Sequence, residues 1–214
     1  NLDYRGFTAA PLLGESQGIA VYLNGTRINE GFGDTLQWEL VPDAALKNID
    51  LMSSNPVFGL NALGGSIALT TKKGLDYINT SLVNNHFEVG GFDWANGNIE
   101  LGTGTEDSGL YVAMENSYDG GWRDNSAGDV KRLFINYGKM GNNYDVNGNG
   151  VTPNELLKVR RESVFTWPDY TGNKVYLAAS NANFYLENDS IINTSIYYRR
   201  LIRDTLNADE IDAE

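Results

Sequence analysis

Leu110 to Tyr118 (LYVAMENSY) alternates residue by residue: Leu110, Val112 and Met114 fall on one face, and Tyr111, Ala113, Glu115 and Ser117 on the other. Period two is the signature of a β-strand with unlike faces. The same rhythm returns in Ile191 to Arg200, with Ile192, Thr194, Ile196 and Tyr198 against Asn193, Ser195, Tyr197 and Arg199. It returns again in Lys174 to Leu186, where Tyr176, Ala178, Ala182, Phe184 and Leu186 share a side. Asn98 to Leu101 and Lys131 to Tyr137 are weaker instances. No apolar run approaches the roughly 20 residues of a membrane-spanning helix. These segments therefore read as antiparallel sheet. The sheet is either a soluble sandwich, whose apolar faces meet each other, or a membrane barrel, whose apolar faces meet lipid. Periodicity alone does not separate the two.

Residues 1–74 have a different texture and read as a small mixed α/β unit. Gly18 to Ile28 (GIAVYLNGTRI) predicts strand, turn and strand, since Asn24-Gly25 is the strongest two-residue hairpin signal. Pro42 predicts a short helix over 40–46. Lys47 to Met52 and Ser66 to Thr71 predict further strands. From about Tyr77 onward hairpins take over, about six strands in all. They are separated by polar loops at 119–129 and, at much greater length, 141–173. Thr152 and Glu155 make a capping box around Pro153, which predicts a surface helix inside the longer loop. Such long connections are uncommon in compact soluble domains and ordinary on the outer rim of membrane barrels.

Several chemistries are excluded or reduced to bland readings. The net charge of −12 leaves no basic surface for nucleic acid. With no cysteine, disulfides, thiolate metal sites and cysteine nucleophiles are excluded. His86 is the only histidine, so neither a His-based zinc site nor a serine triad is available, and a strand-face histidine is expected. Asp145-x-Asn147-x-Asn149-Gly150 begins like a calcium loop, but Leu156 stands where the twelfth-position Glu belongs; an Asn/Gly turn is the expectation. No carboxylate pair sits in a recognisable glycosidase arrangement. Gly64-Gly65 lacks the Lys-Ser/Thr of a phosphate loop and is read as close backbone packing. Neither a cofactor nor a metal is expected.

The residues that carry most information lie in the first third. Arg5-Gly6-Phe7 opens it, and QGIAVYLNGTRINEGFGD (Gln17 to Asp34) presents Asn24-Gly25-Thr26 at a loop. SSNPVFGLNALGGSIALTTKKG (Ser53 to Gly74) then follows the pattern Gly-Pro-x-x-x-x-Tyr-Gly-x-x-Ala-x-Gly-Gly-x-Ile-x-x-x-Thr-Lys, with one residue, Val57, in place of the four after Pro. The matching positions are Pro56, Gly59, Ala62, Gly64, Gly65, Ile67, Thr71 and Lys72, with Asn55 for the usual Gly and Phe58 for the usual Tyr. This resembles the plug domain of TonB-dependent outer-membrane receptors. DGGWRD (Asp119 to Asp124), TPNELL (Thr152 to Leu157) and SVFTWPDYTGN (Ser163 to Asn173) resemble a subfamily of the same receptors, so the likeness covers nearly the whole chain.

The resemblance implies a plug over 1–74 followed by the first strands of a transmembrane β-barrel over 75–214. It implies active uptake of a scarce ligand, an iron–siderophore or a similar bulky small molecule or glycan, across the outer membrane of a Gram-negative bacterium. It also implies contact with outer-membrane lipid, energy from the TonB protein, and no enzymatic activity. Asn29, Asp34, Trp38, Asn55, Phe58 and Asn61 are the expected ligand-facing residues on plug loops. Arg5 is expected either to pair with barrel carboxylates, with Glu100 or Glu115 available although the family's own partners lie in later strands, or to be a plain surface arginine; Gly59, Gly64, Gly65 and Lys72 are expected to shape the plug. The TonB-gripping box would lie upstream of Asn1, and most of the roughly 22 strands such transporters use would lie downstream, so a fragment is expected. Strand parity is awkward: another strand is needed near 141–146, and a local deletion or a very short strand is the expectation there. Two other readings remain. One is a soluble all-β carbohydrate binder using Trp94, Trp122 and Trp167; the other is a glycosidase, which lacks an identifiable acid pair.

Overall fold

The computed structural model describes residues 2–11, 14–53, 62–121, 127–151, 154–158, 170–187 and 189–206. The chain divides into two units, Asn1–Lys72 and Lys73–Glu214.

The first unit is built on a four-stranded mixed sheet with order β4-β3-β6-β5. A small hairpin, β1 (Leu2–Tyr4) with β2 (Phe7–Ala9), precedes it. β3 (Ile19–Leu23) turns back into β4 (Thr26–Arg27) through Asn24 and Gly25, both at positive φ (48° and 83°), the two-residue turn the sequence predicts. β5 (Leu46–Ser53) and β6 (Gly65–Thr71) are antiparallel, and β6 lies parallel to β3. Three of the β3 residues are completely buried, because a strand covered on both faces reads as a continuous apolar run. Where a short helix was expected around Pro42, the chain makes 3-10 turns at Trp38–Leu40 and Asp43–Ala45. Leu46 then enters β5, so there is no length for an α-turn to propagate.

The second unit is one antiparallel sheet. Its strands are β7 (Ser81–Val89), β8 (Ala95–Gly104), β9 (Ser108–Asp119), β10 (Gly128–Gly141), β11 (Tyr144–Val151), β12 (Asn154–Lys158), β13 (Tyr170–Tyr185) and β14 (Ile191–Leu206). β11 and β12 share one register against β10, through Phe134↔Val151 and Lys131↔Asn154, and one register against β13. Together they make one passage across the sheet.

This passage corrects three expectations. The Asn/Gly turn of 145–150 is strand, the helix of the capping box is strand at Asn154–Lys158, and the missing upward strand is β11 at ordinary length. The physical reason is shared. Each segment lies between two partners, β10 and β13, that offer hydrogen bonds on both edges, and that double ladder outweighs local turn and cap preferences. Parity is thereby restored without a deletion. Residues 105–107, 142–143 and 186–190 connect strands at one end of the sheet. The strand ends at Val89 and Ala95, Asp119 and Gly128, and Lys158 and Tyr170 lie at the other, so the two longest connections share an end.

The two faces are distributed inside out. Glu100, Tyr111, Glu115, Phe134, Asn136 and Asn149 are buried on one face, while Ile99, Leu101, Leu110, Met114, Ile135 and Tyr137 are exposed on the other. Adjacent residues on β9 make the contrast sharp, with Met114 50% exposed and Glu115 7%. No helix among the described residues is long and apolar enough to cross a membrane, which says nothing about crossing by strands.

Candidate functional site

An open cleft of about 590 Å³ lies at one end of the first unit's sheet, between residues 15–17 and the loop after β4. The loop is fastened by Asn29. Its Oδ1 accepts from Val21 N at 2.7 Å, and its Nδ2 donates to Ile19 O at 3.0 Å and Asp34 O at 3.2 Å. The side-chain amide thus extends the hydrogen bonding of β3 where β4 has ended. Glu30 N donates to Thr35 O at 2.8 Å and closes the loop. Arg27 donates from Nη2 to Asp34 Oδ1 at 2.8 Å, and Asp34 sits at φ 54°. Phe32, between Gly31 and Gly33 at the tip, is 79% exposed. Glu15, Glu30 and Asp34 against Arg27 make the cleft acidic on balance.

Of the residues expected to face a ligand, Asn29 and Asp34 line this cleft, each with a structural bond to keep. Trp38 is not in it; its indole N–H donates to Ala9 O at 2.8 Å. Asn55, Phe58 and Asn61, with Gly59, lie outside the described residues. Their flanks are informative: Ser53 pairs with Gly65, and Gly65 lies beside Ile19, so the 54–61 connection leaves the same end of the sheet as the cleft. Arg5, at φ 53°, places its guanidinium 5.1 Å from the Tyr4 ring centroid. Phe32 went unrecognised in the sequence, although an aromatic between two glycines in a polar turn was a readable signal.

The glycines of the Gly64-Gly65 element have concrete neighbours. A Cβ on Gly64 would sit 2.8 Å from Phe7 Cβ, and one on Gly18 would strike the Phe7 ring, so the ring lies flat across both. A Cβ on Gly65 would sit 2.6 Å from Met52 O. Lys72 donates from Nζ to Ala44 O at 2.9 Å and from its backbone to Ala45 O at 2.8 Å.

In the second unit the buried face is polar and internally bonded. Tyr111 donates to Glu100 Oε2 at 2.6 Å, Asn84 donates to Glu100 Oε1 at 2.9 Å, and Arg132 faces Glu115 at 3.6 Å. The 3-10 turn Gly74–Tyr77 lies on this face. Gly74 N donates to Asn136 Oδ1 at 2.7 Å, and the Tyr77 ring stacks on Tyr111 at 5.7 Å. Burial, followed by the nearby Glu100 and Asp76 charges, raises the Tyr77 phenol above its ordinary value. His86, expected on a strand face, projects from β7 with Nε2 2.8 Å from Glu88 Oε1. Trp94 folds back over Gly90, and Trp122 and Trp167 lie outside the described residues. Among the described residues no group of three His, Asp or Glu converges to hold a metal. Asp145, Asn147 and Asn149 are spread along β11 rather than wrapped around a point.

No family profile matches the chain, and no curated protein matches it in sequence. Solved structures do match. The siderophore receptor PiuA from Acinetobacter baumannii aligns with a TM-score of 0.68 at 10% identity, over 87% of this chain and 29% of that one. The ferric citrate transporter FecA in its unliganded form aligns with a TM-score of 0.68 at 12% identity, over 88% of this chain and 32% of that one. The chain thus has the fold of these outer-membrane β-barrel transport proteins, and spans about a third of their length.

Proposed function

We propose that the chain belongs to an outer-membrane active-transport receptor of a Gram-negative bacterium, with residues 1–74 as part of its plug and 75–214 as the first strands of its barrel. The observation that carries this reading is the inside-out second unit. In water, a sheet that buries Glu100, Glu115 and Asn136 while exposing Ile99, Met114 and Ile135 is the wrong way round. In a bilayer it is the required arrangement. A soluble sandwich would bury the apolar face instead.

In this reading the ligand meets the cleft end of the plug. Asn29 and Asp34 hold the loop in shape, Trp38 anchors its return, and Phe32 offers an apolar contact. Asn55, Phe58 and Asn61 of the neighbouring connection supply the second contact surface. The ligand is a siderophore-like small molecule or a glycan, and the TonB protein supplies the energy from outside the present residues. Arg5 meets carboxylates of the barrel.

The test uses the full-length protein in cells. Recovery in the outer-membrane fraction, with a gel mobility that shifts on boiling, is the expected result. Given that, Phe32→Ala should weaken ligand uptake at least about fivefold, roughly 1 kcal/mol, without changing the mobility shift. Recovery in the soluble fraction with no shift would overturn the assignment.

A further inference from the structure

The exposed face of the second unit is banded. Along β10 the outward residues are Tyr137, Ile135 and Leu133, then Lys131. Along β13 they are Phe184, Ala182, Ser180, Ala178 and Tyr176, then Lys174. Along β14 they are Ile192, Thr194, Ile196 and Tyr198, then Arg200, with Ile202 beyond it. In each strand the cation stands on the side of the longer connections, which in a membrane barrel is the outer side. The three cations adjoin one another. Lys131 and Lys174 both pair with Asn154, so two strand spacings, about 10 Å, separate them. Arg200 pairs with Tyr176 and is thus a diagonal neighbour of Lys174, about 7–8 Å away. All three are exposed.

We propose that Lys131, Lys174 and Arg200 form a docking site on the barrel's outer wall for the phosphates of an anionic glycolipid of the outer leaflet, whose acyl chains lie on the apolar band beside them. Three observations favour this occupant. The chain as a whole carries −12, so a three-cation row on its apolar flank runs against its composition. The row is one-sided: at the short-turn end of these strands Lys139 is the only described outward cation, whereas lysines that merely snorkel would edge the band at both ends. The anions of this face lie further out. Asp129 follows Lys131 directly, and Asp204 follows Arg200 after Ile202, so a phosphate beside the cations meets them first. Lys131 Nζ does hold Asp129 at 2.9 Å, but Lys131 is exposed and Asp129 only half-buried, and such a pair exchanges readily for a stronger acceptor.

The inference rests on the membrane reading, so membrane insertion is measured separately. Full-length protein and the triple variant Lys131→Gln, Lys174→Gln, Arg200→Gln are first checked for the boiling-dependent gel shift. Both are then mixed in detergent with bisphosphorylated lipid A, with its dephosphorylated form, or with inorganic phosphate alone, and bound lipid is counted by native mass spectrometry. The wild type should retain the bisphosphorylated lipid at least about tenfold better than the variant does. It should prefer that lipid to the dephosphorylated form by a similar factor. Equal retention by wild type and variant, or of both lipids, would overturn the site. Inorganic phosphate competing as well as the lipid would overturn the lipid as occupant. Where the triple variant lacks the gel shift, Lys174→Gln alone is used, with a threefold or greater loss expected and no loss refuting the proposal.

Discussion

Ile135→Arg separates a membrane wall from a soluble sheet by magnitude. Ile135 lies midway between the outward lysines Lys131 and Lys139 on β10, facing Val112 of β9 and Gly150 of β11. From Lys131 to Lys139 is roughly eight residues, about 26 Å along the strand at ~3.3 Å each, or about 20 Å of depth at a ~40° tilt. Ile135 therefore sits about 10 Å from either edge of the band, near the midplane. An arginine there should cost about 2–4 kcal/mol, a drop of roughly 30- to 1000-fold in the folding constant. Were the same face in water, Ile135 would be a surface residue at 40% exposure, and the change would fall within about 0.5 kcal/mol. Asn116→Arg is the internal control, because Asn116 faces outward at the level of Lys131; near the interface its cost should be about 0–1 kcal/mol. The assay is urea unfolding of the full-length protein in phospholipid vesicles, followed by tryptophan fluorescence. Equal and small effects of the two arginines would refute the placement of lipid against this face.

Two further outcomes follow from the first unit. Gly64→Ala should destabilise the full-length protein by about 1–3 kcal/mol in the same unfolding assay, since the new methyl meets Phe7 at Cβ, where no rotamer relieves it; an unchanged midpoint would mean that Phe7 does not cover this glycine. Asn29→Ala should cost about 2–4 kcal/mol, because it leaves a buried N–H and a buried carbonyl of β3 without the amide. Asn29→Asp, which accepts but does not donate at neutral pH, should be intermediate, and equal effects of the two would refute the bracket.

The strands legible in the sequence were those with an apolar stretch on the outward face, Leu110, Val112 and Met114 of β9 and Ile192, Ile196 and Tyr198 of β14 above all. β7 was harder, because Asn85 interrupts Val83, Phe87 and Val89 on its outward face. β11 was invisible. Its inward positions are Asp145, Asn147, Asn149 and Val151, and Gly148 and Gly150 point the other way. No apolar face alternates along its length, and the Asn and Gly residues over 147–150 have low strand propensity. Its conformation is set by β10 and β13, which are distant in sequence, so local reading found a turn. The cleft shows the same limit. That Asn29 and Asp34 occupy a loop was readable, but that Asn29 serves the backbone of β3 was not. An amide's partners are fixed by where the chain returns, not by the residues beside it.

Glycine placement supplies the remaining step from sequence to orientation. A Cβ on Gly74 would strike the backbone of Gly109, and one on Gly109 the backbone of Gly74. A Cβ on Gly102 would sit 2.6 Å from the Tyr77 ring, and one on Gly138 2.5 Å from Leu75 Cγ. Three neighbouring strands thus omit side chains on the buried face where residues 74–77 lie, and backbone approaches backbone. This fixes where the chain joins the sheet: on its polar face, near the short turns 105–107 and 142–143. β7 must then run away from that end, each later strand alternates, and the strand ends at Val89, Asp119 and Lys158 fall together at the far end. The side of entry, the parity and the asymmetry of connection length are one constraint, and in a barrel it assigns the far end to the outside of the cell. The acidic residues concentrated on the buried face, Glu100 and Glu115, then face the lumen, where Tyr111, Asn84 and Arg132 hold them. In such a barrel the apolar residues that a soluble sheet would hide are left for the lipid.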